Sequence, residues 1–278
     1  MTNQNSLIAT LHRIDEDMPE GFVLKHGKRD FIYLHKQEAE HFVASFGIDF
    51  FSFMQSLKEP PPNVLLLDHP FMDVEYDMHT QFNYVSFPSY KKYYKENGKE
   101  YGHISWIDFE DIEGLEELAP WEIAEILYIR HTFNHLRSPF YPKLNNRFVY
   151  LTLEDGFYNK VYYRYWNDFY QLISKLIPEH VEINKPDRLW LGGRKKTENA
   201  IIPTEILKQL SPLFNEGIII SFHKSIQTRQ TIEIPVWVVG DYRHEDELRD
   251  ELRTIYQKRQ TVNLVYQKKM KEWIIDGK

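Results

Sequence analysis

The sequence predicts an α+β protein, on two observations about the order of its elements. A pair of strand-like runs followed by a helical pattern recurs three times, at about 22–46, 147–177 and 218–258. From residue 187 onward the elements follow the order β-α-β-β-α-β, which is typical of a ferredoxin-like arrangement. Because the chain has 278 residues, of which 42% are hydrophobic, it can bury a sizeable core.

The N-terminal region is predicted to begin with two strands around residues 26–29, followed by a helix through Glu38, Phe42 and Phe46. Further strands are predicted at NVLLLDH (63–69), MDVEYDMHT (72–80), FNYVSF (82–87) and YGHISWIDF (101–109). The first of these runs is apolar throughout, as expected for a buried strand, whereas the second alternates between apolar and polar residues.

A helix is predicted to begin at Pro120 and to end before Pro139, because proline suits a first helical position and the residue before a proline avoids the helical region. At 100° per residue this helix has two apolar faces. One face carries Ala124, Leu127, Tyr128, His131 and His135, and the other carries Ile126, Ile129, Phe133 and Leu136. We therefore expect the helix to be sandwiched inside a domain.

The Asp155-Gly156 pair between two β-prone runs predicts a hairpin with a two-residue turn. Its predicted register pairs Phe148 with Tyr163, Val149 with Tyr162, Tyr150 with Val161, Thr152 with Asn159 and Leu153 with Tyr158. Both faces of the hairpin are then largely apolar, so it should be covered on both sides or contact a partner. A helix over 167–177 is predicted to follow.

A linker at 178–188 predicts two domains, an α+β domain over 1–184 and a ferredoxin-like domain over 185–278, or else one continuous domain. The second region is predicted to contain a strand, a helix, two strands, a helix and a last strand, at 187–192, 203–214, 217–224, 231–239, 245–259 and 261–267. Pro235 argues against this topology, because proline in an interior strand loses a ladder hydrogen bond.

Composition excludes several classes of function. The chain has no cysteine, which excludes disulfides, thiolate metal sites and cysteine nucleophiles. Its net charge of −7 argues against non-specific binding to nucleic acid or to an anionic membrane. The N-terminus lacks an apolar signal core, and no apolar run is long enough to span a bilayer. We expect a soluble, cytoplasmic protein with no membrane partner.

His131 and His135 stand one helical turn apart, with Cβ atoms about 5–6 Å from each other in a helix. They could form half of a site for zinc or another divalent metal. The zinc-helix motif, however, places a general-base glutamate directly after the first histidine, where this chain has Thr132. The apolar face and the missing glutamate favour two buried, hydrogen-bonded histidines without a bound metal.

A third metal ligand would have to come from residues 68–79. Asp73, Glu75, Asp77 and His79 alternate along a predicted strand and share one face. Alternate residues lie about 6.6 Å apart, so only neighbours could share an ion, and Asp77 with His79 is the best pair. The simpler interpretation is the solvated face of an amphipathic strand. Asp68-His69-Pro70, after the apolar run, is a weaker candidate.

Arg194 and Lys195 lie in WLGGRKKTEN (190–199), which has glycines, three cations and a nearby helix start. This stretch could bind a phosphate or a carboxylate, but it lacks both the P-loop and the dinucleotide glycine patterns. A plain surface turn is the favoured interpretation.

The tract YNKVYYRYWNDFY (158–170) interleaves aromatic residues with Lys160 and Arg164. The acidic chain argues against base stacking. Tyrosine- and tryptophan-rich surfaces are typical of protein contacts, which makes a partner surface from Tyr158, Tyr162, Tyr165 and Trp166 a candidate. The alternative is that the hairpin packs its aromatic residues on its own helix.

No Gly-x-Ser-x-Gly elbow, kinase signature or carboxylate dyad is present in the sequence. The leading hypothesis is therefore a non-enzymatic regulatory protein that binds a partner protein or a second copy of itself, without a cofactor. The alternative is a metal-dependent hydrolase built on His131 and His135.

Overall fold

In the computed structural model, the described residues are 30–37, 42–68, 74–86, 89, 105–129, 138–153, 158–181, 200–242, 245–258 and 260–277. Their strands all pair antiparallel in one continuous sheet, and the helices pack on its faces. The predicted α+β class is confirmed.

The strands of this part of the chain are β1 Phe31–Gln37, β2 Phe42–Phe46, β3 Asn63–Asp68, β4 Glu75–Tyr76, β5 Asn83–Ser86, β6 Ser105–Phe109, β7 Phe148–Leu153, β8 Tyr158–Tyr163, β9 Ile218–Ser221, β10 Ile226–Gln227, β11 Thr231–Val238, β12 Val262–Gln267 and β13 Glu272–Asp276. Their order across the sheet is β13-β12-β11-β9-β1-β2-β8-β7-β6-β3-β5-β4, and β10 pairs with β11 off this path.

The helices of the described residues are α1 Phe50–Ser56, α2 Glu113–Glu116, α3 Pro120–Tyr128, α4 Trp166–His180, α5 Thr204–Gln209, α6 Ser211–Phe214 and α7 Glu245–Gln257. On one face of the sheet, α1, α4, α5 and α6 share a single large core. The opposite face carries two separate cores, one under α3 and one under α7.

The β7–β8 hairpin has the predicted register, from Phe148 opposite Tyr163 to Leu153 opposite Tyr158. Its two faces are both covered. Tyr150 and Val161 belong to the large core, while Val149 belongs to the core under α3. The sequence therefore predicted both the pairing and the need for cover on two sides.

The helix predicted through Phe42 and Phe46 is wrong, because these residues begin and end strand β2. β2 lies between β1 and β8, so its backbone hydrogen bonds go to two neighbouring strands. A helix does follow, but later, as α1. The Asp49 carboxylate caps it by accepting hydrogen bonds from the backbone N–H (2.9 Å) and the hydroxyl (2.7 Å) of Ser52.

The sheet is continuous across the predicted linker, because β1 pairs with β9 from Phe31 opposite Ser221 to Leu34 opposite Ile218. The ferredoxin-like topology is not confirmed. β12 lies directly beside β11, and β13, which the sequence did not predict, forms the next strand outward. The predicted first strand of that unit, at 187–192, lies outside the described residues.

Pro235 is accommodated in β11 without the loss of a ladder hydrogen bond. The N–H of Thr261 donates to Val236 O on one side, and the N–H of Val239 donates to Gly217 O on the other. Backbone groups alternate between the two edges of a strand. Pro235 is four residues from Val239, so its nitrogen faces the same edge as the N–H of Val239, which is the β9 side. On that side β9 pairing ends at Val236 and β10 pairing begins at Glu233, so no partner carbonyl is displaced.

Candidate partner-binding surface

The start of α3 is fixed by local hydrogen bonds. Pro120 occupies the first helical position, and the Glu122 carboxylate accepts a hydrogen bond of 2.8 Å from the backbone N–H of Ala119. The turn at 77–80 lies against the same point, because Nε2 of His79 is 3.1 Å from the carbonyl oxygen of Leu118. These contacts fix the position of the first turn of α3.

The inner face of α3 is buried. Ile126 and Ile129 are 0% and 1% exposed, and they pack in the same core as Leu65, Ile107 and Val149 of the sheet. Burying an isoleucine side chain contributes roughly 1.5–3 kcal/mol, so this face anchors the helix.

The outer face of α3 is apolar and exposed. Trp121, Leu127 and Tyr128 are 62%, 56% and 68% exposed, and Ala124 between them is exposed as well. At 100° per residue these four side chains fall on one arc of about 120°. The sequence predicted a helix covered on both of its apolar faces. For residues 120–128 the structure differs from that expectation, because the described part of the protein buries the inner face and leaves the outer face largely exposed.

The segment that contains α2 and α3 is strongly acidic. The stretch 105–129 holds eight acidic residues and no lysine or arginine. Asp108 and Glu122 are buried, whereas the other six are exposed, namely Glu110, Asp111, Glu113, Glu116, Glu117 and Glu125. Lys143 forms an exposed ion pair of 2.7 Å with Glu117. We call the outer face of α3 together with these exposed acids the α3 surface.

The predicted metal ligands are only partly within the described residues. His131 and His135 lie outside them, as does Asp73. The strand predicted over 72–80 ends at Tyr76, which is a correction. Beyond it, Asp77 Oδ1 accepts hydrogen bonds from the backbone N–H (2.7 Å) and the hydroxyl (2.6 Å) of Thr80, which forms a turn.

This turn separates Asp77 from the alternating face that the sequence predicted. Over the part of the chain that the structure describes, no three histidine, aspartate or glutamate side chains converge as a metal site. The His131–His135 hypothesis stays a prediction.

The predicted aromatic partner surface is dispersed. Tyr162 is 1% exposed and lies in the core under α3, so it cannot contact a partner, which corrects the sequence interpretation. Its burial raises its phenol pKa. Tyr165 is 45% exposed, with the Arg164 guanidinium 5.5 Å from its ring centre. Trp166 is half-buried under Lys36, whose Nζ is 4.9 Å from the ring.

The remaining sequence candidates are not placed by the structure. The side chain of Tyr158 lies outside the described residues, as do Arg194 and Lys195. The predictions of a partner contact at Tyr158 and of an anion site at Arg194 and Lys195 stay predictions.

A second polar cluster, which the sequence did not reveal, lies on the sheet face between the cores under α3 and α7. Nδ1 of His35, on β1, is 3.1 Å from Oδ1 of Asp241. The Tyr33 hydroxyl donates to Gly240 O and accepts from Tyr242 N, both at 2.9 Å. It thereby holds the residues on both sides of Asp241.

The imidazole of His35 is 6% exposed, and its burial lowers its pKa. The carboxylate of Asp241 and the backbone of Asn215 raise this pKa, and the ammonium of Lys160 lowers it further. Lys160 is itself 5% exposed, with Nζ 5.3 Å and 5.2 Å from the ring centres of Phe46 and Tyr162. Because His35 and Lys160 are covered, this cluster offers a ligand less access than the α3 surface does.

No family model, curated protein or solved structure matches this chain. Among the described residues, none of the helices combines the length and the apolar character that a membrane crossing requires.

Proposed function

We propose that this protein works by binding another protein through the α3 surface. The observation that carries the proposal is the apolar outer face of α3, on which Trp121, Leu127 and Tyr128 are each more than half exposed. Exposed apolar patches that are rimmed by polar residues are typical of interaction sites. Tryptophan and tyrosine are also the residues that most often contribute large binding energies at interfaces.

The anchoring of α3 supports the same function. Ile126 and Ile129 hold the helix in the core, and Glu122 and Pro120 fix its first turn. A partner would therefore meet a preformed surface and would lose little free energy in ordering it. The proposed role is non-enzymatic, in that the α3 surface offers a partner a contact face.

Co-purification from the cells that make the protein tests the proposal. The bait is the full chain, in wild-type form or with Trp121→Ser and Leu127→Ser together. Ile226→Ser serves as the matched control, because Ile226 is 59% exposed on β10, away from α3. We expect at least one protein to be retained by wild type and the control and lost from the double variant. A set of retained proteins that is the same for all three baits contradicts the proposal.

A further inference from the structure

We propose that the partner presents a basic amphipathic helix to the α3 surface, a proposal that rests on the function proposed above. The apolar side of this partner helix would cover Trp121, Leu127 and Tyr128, and its lysine or arginine residues would face the surrounding carboxylates. The exposed apolar outer face of α3 defines the binding site. The distribution of charge favours a basic partner.

Charge is concentrated at this site to an unusual degree. The stretch 105–130, which ends with Arg130, has a formal charge of −7, equal to that of the whole chain, so the remainder of the chain is neutral overall. The six exposed acids of the α3 surface lie on α2, on α3 and on the turns before each of them. A partner that approaches this face therefore meets a negative potential, which speeds the approach of a basic segment and slows that of an acidic one.

A second copy of this chain fits the site poorly. In a two-fold symmetric dimer the same surface patch occurs on both subunits, so the exposed acids of one copy would face those of the other. Like charges across an interface are unfavourable. An anionic lipid surface or a nucleic acid is disfavoured for the same reason.

The acids are also arranged unsuitably for a metal ion. Within the described residues no three carboxylate or imidazole groups converge. Glu117 is engaged by Lys143, and Glu122 caps the helix. The exposed carboxylates are spread over α2, α3 and the turns before them, which suits a partner with dispersed cations, whereas a divalent ion requires several ligands within a few ångströms.

The length of the apolar outer face of α3 indicates a helical partner. Trp121 and Tyr128 are seven residues apart, which corresponds to about 10 Å along the axis of α3. This length matches about two turns of a second helix that packs alongside. Such a partner would contribute apolar residues at positions i, i+3 or i+4, and i+7, as in other recognition of a helix by an apolar surface.

Three synthetic peptides of equal length test this inference by titration against the full-length protein. The first is an amphipathic helix of leucine and lysine, the second replaces lysine by glutamate, and the third replaces leucine by serine. We expect only the leucine–lysine peptide to bind. Its affinity should fall at least about tenfold, equivalent to about 1.4 kcal/mol, in the Trp121→Ser, Leu127→Ser protein. Ile226→Ser should bind it as wild type does.

Charge variants supply the second arm of the experiment. The triple variant Glu113→Gln, Glu116→Gln, Glu125→Gln keeps the apolar stripe and removes three exposed carboxylates. It should bind the leucine–lysine peptide several-fold more weakly, and the difference from wild type should shrink as salt is raised, because exposed charges are screened. Equal affinities for the variant and wild type at low salt would overturn the inference.

Failure of this inference is distinguishable from failure of the proposed function. If the leucine–glutamate peptide binds as tightly, or if the Trp121→Ser, Leu127→Ser protein binds the basic peptide unchanged, the basic-helix inference is wrong. The co-purification result decides the proposed function separately. A concentration-dependent dimer in light scattering that the double variant abolishes would identify a second copy as the occupant and would also overturn the inference.

Discussion

Trp121 and Glu122 are neighbours in the sequence and lie about 100° apart around α3, but their exposed fractions are 62% and 7%. Their separation predicts different consequences for stability. Trp121→Ser should change the free energy of unfolding by less than about 1 kcal/mol, as is usual for an exposed site. Ile126→Ala, on the inner face, should cost about 2–5 kcal/mol through a cavity. Urea unfolding of both variants measures this, and equal losses would show that Trp121 is part of the core.

We predict that His35 makes the free energy of unfolding depend on pH. Burial lowers the pKa of His35 in the folded protein, against the opposing effect of Asp241. Below its ordinary pKa of about 6.5, the unfolded chain therefore binds more protons than the folded one, and the contribution of neutral His35 to stability is lost as pH falls. We expect the stability advantage of wild type over His35→Gln to shrink between pH 7.5 and pH 5.

Urea unfolding of wild type and His35→Gln at both pH values measures this difference. A wider gap at pH 5 would show that the ion pair with Asp241 dominates and that the folded protein takes up the proton first. Asp241→Asn is the informative companion variant, because removal of the carboxylate should lower the pKa of His35 further, so that the loss of stability begins near the same pH but continues to a lower pH.

We predict that Asp108 contributes a pH dependence of stability that is opposite in sign to that of His35. Its carboxylate is 3% exposed and accepts hydrogen bonds from the backbone N–H groups of Phe148 (2.6 Å) and Arg147 (3.0 Å). Burial raises the pKa of Asp108 to about 7, although these hydrogen bonds lower it. The folded protein therefore binds more protons than the unfolded chain between about pH 4 and pH 7, and the contribution of protonated Asp108 is lost as pH rises.

Comparison of wild type with Asp108→Asn isolates this contribution, because asparagine does not titrate. The stability of wild type relative to the variant should decrease from pH 4 to pH 7 in urea unfolding. A relative stability that instead increases with pH would show that the backbone hydrogen bonds hold Asp108 ionised.

The pairing of β1 with β9 predicts how an isolated C-terminal fragment behaves. In residues 186–278 alone, β9 would lose β1 as a partner, and Leu207 and Phe214 would lose their cover from α4. We expect the fragment to show no cooperative thermal transition, whereas the full chain does. A cooperative transition in the fragment would support two separate domains, with a boundary near residue 184.

Local signals explain which parts of the fold were predictable. The β7–β8 register followed from Asp155-Gly156 and from the alternation on either side, which are properties of neighbouring residues. The segment 42–46 has no such signal. Phe42 and Phe46 are four residues apart, which suits a helix, and the short apolar run between them also suits a strand. Pairing with β1 and β8 decides the outcome, and that pairing is set by the whole sheet.

The candidate site was also predictable only in part. The sequence predicted two apolar faces for α3, which is a local periodicity. It could not show which face the sheet would cover. The contact between His35 and Asp241 joins residues from distant parts of the chain. The clamp by Tyr33 on both sides of Asp241 is equally long-range, so no spacing in the sequence indicates either feature.

Site-specific photocrosslinking in the cells that make the protein tests the central claim most directly. A benzophenone amino acid would replace Leu127 on the outer face of α3, and in a separate control it would replace Ile226, which is similarly exposed. We expect irradiation to yield an adduct of defined mass with a different protein at position 127 and none at position 226. Failure to form any adduct at position 127, or the same adducts at both positions, would contradict a partner-binding role for the α3 surface.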